Sequence, residues 1–293
     1  MKVQQECIPC QLENAIHQAS LAMDDDEEQF EALLSYLDFI VSNFSRERTP
    51  AYYGYVLNRI IGEEASVQDL YYELKKKSNE TAQMLLGIAK EFVSGASGRR
   101  DRLRRALKVS AAANSMEFGV SGHEFDSEYF KSEFKDLLHE DFVIDDSDVL
   151  ASKVLSSGDV FFLADNAGEI VLDKILLNEI KEFGGDIYVG LKTRPVQEDV
   201  TVEEAKELGI SEYGELVPTG GKIGIFPEDI PDRAAELLQN SELIVAKGMG
   251  NYETISEFEE KFEGRLFYIL RAKCIPVARA LGVKQGSLIV KCV

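Results

Sequence analysis

The chain has 293 residues, of which 45% are hydrophobic, so it is long enough to bury a substantial core or to form two domains. Acidic residues outnumber basic ones by 52 to 32, and the net charge of −20 argues against polyanionic partners such as nucleic acid or anionic membranes. No apolar run approaches the roughly 18 residues of a membrane span, and the N-terminal segment MKVQQECIPCQ lacks the apolar core of a signal peptide. We therefore expect a globular, cytoplasmic protein.

The first half of the chain is predicted to form a bundle of several helices. Apolar residues recur at helical spacing in FEALLSYLDFIVSNF, DLYYELKKKSNETAQMLLGIAKEFV and YFKSEFKDLLHEDF. Thr49 followed by Pro50 is typical of a helix start, and Gly62 and Gly98 are expected to end helices. The pattern predicts a mainly helical domain over residues 1–150.

In the second half, short apolar runs alternate with amphipathic segments. The expected strands are GDVFFLAD, GDIYVGLK, SELIVAKG, GRLFYILR and GSLIVKC, and the expected helices are IVLDKILLNEIKEF, VEEAKELG, IPDRAAELLQ and ISEFEEKF. Strands that lack apolar and polar alternation are buried on both faces, which is typical of a parallel sheet covered by helices on both sides. The pattern predicts an α/β domain over residues 151–293 with a doubly wound, mostly parallel sheet. The segment 146–158 is expected to join the two domains.

Polar residues follow three of the predicted strands, at the sheet edge where open α/β proteins bind ligands. Asp165 and Asn166 follow the first strand, Asp199 comes after the second, and Lys247 ends the next. Carboxylate and amide oxygens are the ligands that hard divalent cations prefer, and such a cation activates water and offsets phosphoryl charge. We predict that Asp165, Asn166 and Asp199 bind a divalent cation and that Lys247 binds the phosphate of a substrate.

These residues also have ordinary structural interpretations, because an Asp-Asn pair is common in turns and helix caps and Asp199 could simply begin a helix. Two other site types do not match. KGMGNYE has Glu253 in place of the third glycine of a dinucleotide-binding loop, and Ala167 stands where the D-x-D motif of an aspartyl phosphatase needs a second carboxylate. Water attack assisted by a metal ion fits the sequence better.

Several separated motifs resemble the DUF89 family of metal-dependent damage-control phosphatases, which includes the ARMT1-like proteins. They are CIPC, ADNAGEIVLDK, EDVTVEEA, KGMGNYE and RAKCIPVARALGV, with TPAYYGYVLNRIIGE, DLYYELKKKSN and AAANSMEFG in the helical part. The CxxC pair points to the subgroup common in archaea and some bacteria. The resemblance spans nearly the whole chain and implies a helical domain joined to a Rossmann-like domain. It also implies hydrolysis of small phosphate esters, such as damaged or overflow sugar phosphates.

The resemblance implies roles for individual residues. Asp165, Asn166 and Asp199 would hold a divalent cation, for which our candidates are Mn²⁺, Mg²⁺, Co²⁺ and Ni²⁺, and Lys247 would contact the phosphate. Asn114 of AAANSMEFG resembles the asparagine that the helical domain contributes to the cleft. The predicted catalytic residues are therefore Asp165, Asn166 and Lys247.

Other predicted roles are less direct. Gly248 and Asn251 of KGMGNYE are expected to contribute to the substrate site. Glu169 and Glu253 are the candidates for orienting the attacking water, although a carboxylate at the start of a helix is also favoured by the helix dipole. The family more often has Asp where this chain has Glu117, so the role of that residue stays open.

The cysteines suggest a second function. Cys7 and Cys10 form a C-x-x-C pair, and Cys274 and Cys292 lie near the other end of the chain. Four cysteines are too few for a disulfide scaffold and fit a reducing compartment. Cys7, Cys10 and Cys274 are expected either to pack in the interior or an interface, or to bind a soft metal or exchange electrons, with Cys292 or a histidine completing the set. The alternative function is thus a non-catalytic nucleotide or phosphometabolite sensor with a cysteine switch.

Two charged features remain. The basic run RRDRLRR at 99–105 is interpreted as a solvated helix face with salt bridges rather than a phosphate-attracting rim, and Asp173 is expected to face the joint between the domains or solvent. Taken together, the sequence predicts a cytoplasmic, divalent-metal-dependent phosphatase of small phosphorylated metabolites, with neither nucleic acid nor membrane as a partner. It does not predict the oligomeric state.

Overall fold

The computed structural model describes residues 1–115 and 127–293. The helices in these ranges are α1 (Cys7–Ala22), α2 (Asp26–Asn43), α3 (Pro50–Ala65), α4 (Tyr72–Ser94), α5 (Arg99–Ser115), α6 (Ser127–His139), α7 (Ser147–Val154), α8 (Glu169–Glu182), α9 (Val202–Glu207), α10 (Asp232–Asn240), α11 (Gly248–Ile255) and α12 (Ile275–Leu281). The strands are β1 (Ile144–Asp145), β2 (Asp159–Leu163), β3 (Asp186–Leu191), β4 (Glu215–Pro218), β5 (Leu243–Lys247), β6 (Leu266–Arg271) and β7 (Leu288–Cys292). Two short 3-10 helices, Ile210–Glu212 and Glu259–Phe262, complete the described elements.

The strands form one seven-stranded sheet in the order β1-β7-β6-β5-β2-β3-β4. Neighbouring strands are parallel except for β6 and β7, which are antiparallel. From β2 the chain moves outward through β3 to β4, and it then returns to β5 on the other side of β2. The carboxyl ends of β2 and β5 therefore flank the switch point of the sheet, which is where ligands bind in this architecture.

Helices cover both faces of the sheet, as the pattern of the strands predicted. In β2, Val160 and Phe162 pack in a cluster with α4, α5 and α8, whereas Phe161 and Leu163 pack in a cluster with α10, α11 and α12. Both sets of side chains are buried, so the strand shows no apolar and polar alternation. The predicted fold class, a helical N-terminal region with a doubly wound, mostly parallel sheet, is confirmed.

The helical region does not form one bundle. Helices α1 to α3 share a separate apolar cluster that includes Tyr36, Tyr53 and Leu57. Residues of α4 and α5, such as Leu85 and Leu107, instead belong to the large cluster against the sheet. This cluster crosses residue 150, and the predicted joint at 146–158 contains α7, whose Leu150 is buried in it. The proposed boundary between two domains stays a prediction.

The predicted helix boundaries have mixed outcomes. Thr49 caps α3, its side chain accepting a hydrogen bond from the Tyr52 amide, and Pro50 is the first helical residue as expected. Gly62 lies inside α3 and Gly98 precedes α5, so the expectation that both end helices was wrong.

Three further elements of the structure differ from the sequence-based expectations. The segment ISEFEEKF was expected to be a helix, but α11 begins earlier, at Gly248, and only a 3-10 helix covers Glu259–Phe262. Strands β1 and β4, which are short and partly polar edge strands, were not predicted from the sequence.

The basic run at 99–105 forms salt bridges, as expected, including one between Arg102 and Glu179 at 2.6 Å. Within the described ranges, no helix has both the length and the apolar character needed to cross a bilayer.

Candidate active site

The structure brings together the three predicted metal ligands at the switch point. Asp165 and Asn166 follow β2, and Asn166 pairs with Asp199 in an isolated antiparallel bridge. The backbone amide of Val200 also donates to the carbonyl of Asp165 at 3.0 Å. This hydrogen bond joins the loop after β2 to the loop after β3. Asp165, Asn166 and Asp199 are therefore neighbours because two strand-end loops pair along their backbones.

Asn114 of α5 reaches this point from the helical region. Its Nδ2 donates to Asp165 Oδ2 at 3.0 Å and to Glu169 Oε2 at 3.0 Å. Its Oδ1 accepts a hydrogen bond from the backbone amide of Arg271 at 3.0 Å, which fixes the orientation of the carboxamide. Glu169, the first residue of α8, also accepts from Asn166 Nδ2 at 3.2 Å. The two asparagines therefore hold the carboxylates in place by donating to them.

Burial and neighbouring charges shift the pKa values of the two carboxylates in this site. Burial, and then the charges of Glu169 and Asp199, raise the pKa of Asp165 well above its usual value, although Lys247 and Lys273 act in the opposite direction. Burial also raises the pKa of Asp199 to about 6, despite the nearby Lys192. Buried carboxylates with raised pKa values are stabilised in their charged form when a cation binds between them.

The donor set fits a hard divalent cation. It consists of two carboxylates and one carboxamide oxygen, without sulfur or imidazole, which is the chemistry that Mg²⁺ and Mn²⁺ prefer. In the described part of the chain, no three His, Cys, Asp or Glu side chains are arranged to hold a metal ion. A cation between Asp165 and Asp199 would therefore depend on Asn166 and on water for its remaining ligands.

A cavity of about 460 Å³ opens beside these residues. Its walls come from both parts of the chain: α1, α3, α4 and α5 on one side, and the loops after β2, β3, β5 and β6 on the other. Asp165, Asn166, Asp199, Asn114 and Glu169 all line it. This volume suits a small metabolite, since ligand pockets commonly measure about 300–1,000 Å³.

Comparison with known proteins identifies the family. The model of the "Damage-control phosphatase ARMT1-like domain" matches residues 3–289. The chain belongs to the ARMT1-like damage-control phosphatase family. A damage-control phosphatase of Archaeoglobus fulgidus is 35% identical over the full length of both chains. Another, from Pyrococcus horikoshii, is 30% identical over 99% of this chain and 97% of its own length. These relatives support a phosphatase role for the chain.

A solved structure agrees with this assignment to the ARMT1-like family. The crystal structure of a DUF89 family protein from Pyrococcus horikoshii matches the fold with a TM-score of 0.91 at 28% sequence identity. The match covers 100% of this chain and 99% of the other. An uncharacterized protein of Methanocaldococcus jannaschii is also 32% identical over 98% of this chain and 94% of its own length. The resemblance to the DUF89 family noted in the sequence is therefore confirmed, while the CxxC subgroup stays a prediction.

Lys247 occupies a different position from the one its predicted role suggests. Its side chain is completely buried, and its Nζ lies 2.9 Å from Asp173 Oδ1, 3.3 Å from Glu169 Oε2 and 3.0 Å from the Ser110 carbonyl. Burial alone would lower the pKa of Lys247, but the charges of Asp173 and Glu169 outweigh it and raise that pKa. The lysine lies beneath the cavity rather than in its wall, and its contact with phosphate stays a prediction.

Gly248 and Asn251 also lie behind the cavity wall. A Cβ atom on Gly248 would come within 1.7 Å of Asp165 Oδ2, so the absence of a side chain leaves room for that carboxylate. Asn251 Nδ2 donates to the carbonyls of Ala164 at 3.1 Å and Lys247 at 2.8 Å, which joins the ends of β2 and β5. Both residues support the site, and a direct contact with substrate stays a prediction for each.

Three cysteines, Cys7, Cys10 and Cys274, line the same cavity, and we call them the cavity cysteines. Burial raises the pKa of each of these thiols. Cys292 lies in β7, where its amide donates to Asp146 Oδ2, and it is not part of the cavity wall. It therefore does not complete a set of four thiols with the others.

Three other residues were singled out in the sequence: Glu253, Asp173 and Glu117. Glu253 of α11 lines the cavity, and burial raises its pKa to about 7. Asp173 was expected at the joint between the helical and α/β parts or in solvent, and the structure agrees with the first alternative, because Asp173 is buried against α5 and the hydroxyl of Ser110 donates to it. Glu117 lies outside the described residues.

The sequence analysis missed two polar residues of α4. Lys75 lines the cavity, is 2% exposed, and lies 2.6 Å from Asp69 Oδ2 and 2.7 Å from Glu204 Oε1. Asn79 Oδ1 accepts a hydrogen bond from the Gly168 amide at 2.7 Å, just before α8. Lys75 lies on the buried face of α4 together with apolar residues. A lysine at a position where the helical pattern calls for an apolar residue was therefore the feature of the sequence that could have identified it.

Proposed function

We propose that this protein is a divalent-metal-dependent phosphatase that hydrolyses the phosphate esters of small metabolites, such as damaged or overflow phosphometabolites. One observation carries the proposal: Asp165, Asn166 and Asp199 meet at the switch point of the sheet, on the wall of a cavity of metabolite size. Membership in the family and the relatives named damage-control phosphatases support the reaction class.

The roles of the side chains follow from their chemistry. Asp165, Asp199 and the amide oxygen of Asn166 would hold the cation, which is Mn²⁺, Mg²⁺, Co²⁺ or Ni²⁺ in our proposal. When bound, such a cation lowers the pKa of a coordinated water and offsets the charge on a phosphoryl group. Asn114 orients Asp165 by donating to it, and Glu169, which accepts a hydrogen bond from the same carboxamide, would orient the attacking water.

The summed charge of −20 disfavours nucleic acids as substrates, whereas a small ester can enter a cavity that holds local cations. We extend the proposal to a cytoplasmic location, where the free cysteines of the chain would stay reduced.

The test is hydrolysis of a generic phosphate ester, such as p-nitrophenyl phosphate, by the full chain after chelation and reloading with each of the four metals. We expect phosphate release with at least one metal, and a loss of about a hundredfold or more in kcat for Asp165→Asn and Asp199→Asn. Glu182→Gln, which neutralises an exposed residue of α8, is the matched control. The proposal fails if no metal supports hydrolysis and Asp165→Ala leaves metal binding unchanged.

A sensor function is the second candidate, and the presence of the cavity cysteines in the same wall as Asp165 favours it. A sensor would bind metal and a phosphometabolite without turnover. Calorimetry that detects binding of both, together with the absence of phosphate release over a panel of metabolite esters, would support the sensor over the enzyme.

A further inference from the structure

A phosphate ester needs a cation besides the metal, and four lysines lie around the proposed metal site. Two carboxylates, Asp165 and Asp199, bring two negative charges that a divalent cation would neutralise. The charge of the bound phosphoryl group then has to be met by another cation. The lysines near the site are Lys75, Lys192, Lys247 and Lys273.

Three of these lysines already have protein partners. The ammonium of Lys75 lies between Asp69 and Glu204, and that of Lys247 is held by Asp173 and Glu169. Lys192 Nζ donates to the Gly224 carbonyl at 2.7 Å and lies 3.6 Å from Asp199 Oδ2. All three are at most 4% exposed, so binding a phosphate would require each to leave a carboxylate or a carbonyl in the interior.

Lys273 differs from these three. It is partly exposed, lines the cavity, and among the side chains described at 1–115 and 131–293 its ammonium has no ion pair or hydrogen bond. Its backbone is fixed nonetheless, because its amide donates to the Arg271 carbonyl at 2.9 Å and its carbonyl accepts from Gln285 Nε2 at 2.8 Å. Arg271 in turn donates its amide to Asn114, which contacts Asp165. The backbone of Lys273 is thus held beside the site, while its ammonium has no partner among the described side chains.

We propose that Lys273 binds the phosphoryl group of the substrate, and that Lys247 is a positioning residue that holds Asp173 and Glu169 from below the cavity. The proposal rests on the proposed phosphatase function for its substrate. Lysine suits this task because its ammonium is a compact charge on a flexible stem, and it can approach a phosphoryl oxygen from the cavity wall without leaving a partner.

The test compares Lys273→Met, which keeps the apolar stem, with Lys273→Arg and with the control Lys284→Ala. Lys284 is exposed, does not line the cavity, and lies in the turn that precedes β7. In Mg²⁺-loaded protein we expect Lys273→Met to weaken binding of inorganic phosphate on the order of tenfold or more, with partial retention in Lys273→Arg. The KM for p-nitrophenyl phosphate should rise in parallel.

Affinity for Mg²⁺ distinguishes binding from a structural role. Removing a positive charge near Asp165 should leave Mg²⁺ affinity unchanged or increase it, whereas a distorted site would lose affinity for both metal and phosphate. The proposal is overturned if Lys273→Met binds phosphate as Lys284→Ala does, or if phosphate and Mg²⁺ affinities fall together. Phosphate binding is measured without turnover, so this outcome is separate from a failure of the wild-type protein to hydrolyse esters.

Discussion

Lys247 Nζ and Asp173 Oδ1 lie 2.9 Å apart in a part of the protein that solvent does not reach. Lys247 ends β5 and Asp173 lies in α8, so their ion pair fastens the helix to the sheet directly below the proposed metal site. The same ammonium also contacts the carboxylate of Glu169, and this contact holds the carboxylate toward Asn114. This buried cation therefore holds both acidic residues of α8, Asp173 and Glu169.

Loss of either Lys247 or Asp173 should lower the free energy of unfolding, because it leaves the other charge buried without compensation. We expect Lys247→Met to lower the free energy of unfolding by about 3–5 kcal/mol, as measured by urea denaturation. The double variant Lys247→Met with Asp173→Asn should recover part of this loss. Glu182→Gln on the exposed face of α8 should have little effect. Equal stability of the single variant and the wild type would show that the pair contributes nothing.

Gly248 should be intolerant of a side chain for a reason specific to the site. It has a φ of 76°, which by itself costs an alanine roughly 1 kcal/mol, and its Cβ would collide with Asp165. Gly264 is a matched control, since its φ is 75° and a Cβ there would meet nothing within 4 Å.

We therefore expect Gly248→Ala to lose more unfolding free energy than Gly264→Ala, and to lose metal affinity on the order of tenfold or more because Asp165 is displaced. Thermal denaturation and calorimetry with Mn²⁺ would measure the two effects. If both variants behave alike, the close approach between Gly248 and Asp165 does not control the carboxylate.

Glu253 should make stability depend on pH. Burial raises its pKa to about 7 from the usual 4.5, although the N-terminal ammonium acts in the opposite direction. Between these values the unfolded chain releases this proton while the folded protein keeps it. The free energy of unfolding should therefore fall as pH rises from about 4.5 to 7, by up to about 3 kcal/mol for this group alone.

Glu253→Gln isolates this contribution because it keeps the shape of the neutral acid. The variant should gain stability relative to the wild type as pH increases through the window, whereas the exposed Glu260→Gln should follow the wild type. The cavity cysteines face Glu253 and also have raised pKa values, but they titrate above this range. Parallel pH profiles for wild type and Glu253→Gln would contradict the prediction.

Asn114 should be replaceable neither by alanine nor by aspartate. Asn114→Asp would remove the donors to Asp165 and Glu169 and add a further carboxylate, and we expect it to lower the unfolding free energy by about 2–4 kcal/mol without metal. Added Mn²⁺ should restore more stability to this variant than to the wild type. Asn178→Asp, at an exposed position of α8, is the control and should show neither effect in thermal shift measurements.

The sequence predicted the central strands well because burial leaves a strong signature there. The runs of β2, β3, β5, β6 and β7 are apolar on both faces, whereas the short edge strands β1 and β4 contain too few apolar residues to be recognised. ISEFEEKF has an amphipathic pattern but follows a helix that begins at Gly248. Gly248 is needed at the start of this helix for the close approach to Asp165, a constraint that tertiary structure imposes.

The grouping of the proposed metal ligands was predictable to the extent that it depends on strand ends. Asp165, Asn166 and Asp199 were expected to be neighbours because parallel strands bring their carboxyl ends to one edge of the sheet. The pairing of Lys247 with Asp173 could not be predicted, since it depends on how α8 packs on β5 and on which lysines already have partners. Sequence position alone did not distinguish Lys247 from Lys273.

The two walls of the cavity carry different kinds of residue. The strand-end loops supply the charged groups Asp165 and Asp199, whereas α1 and α3 face them with residues such as Gln11, Asn14 and Gly54. Changes in these helices would alter the shape and polarity of the cavity without touching the proposed metal ligands. In the proposed phosphatase, the preference for the alcohol part of an ester would therefore be separable from the groups that carry out hydrolysis.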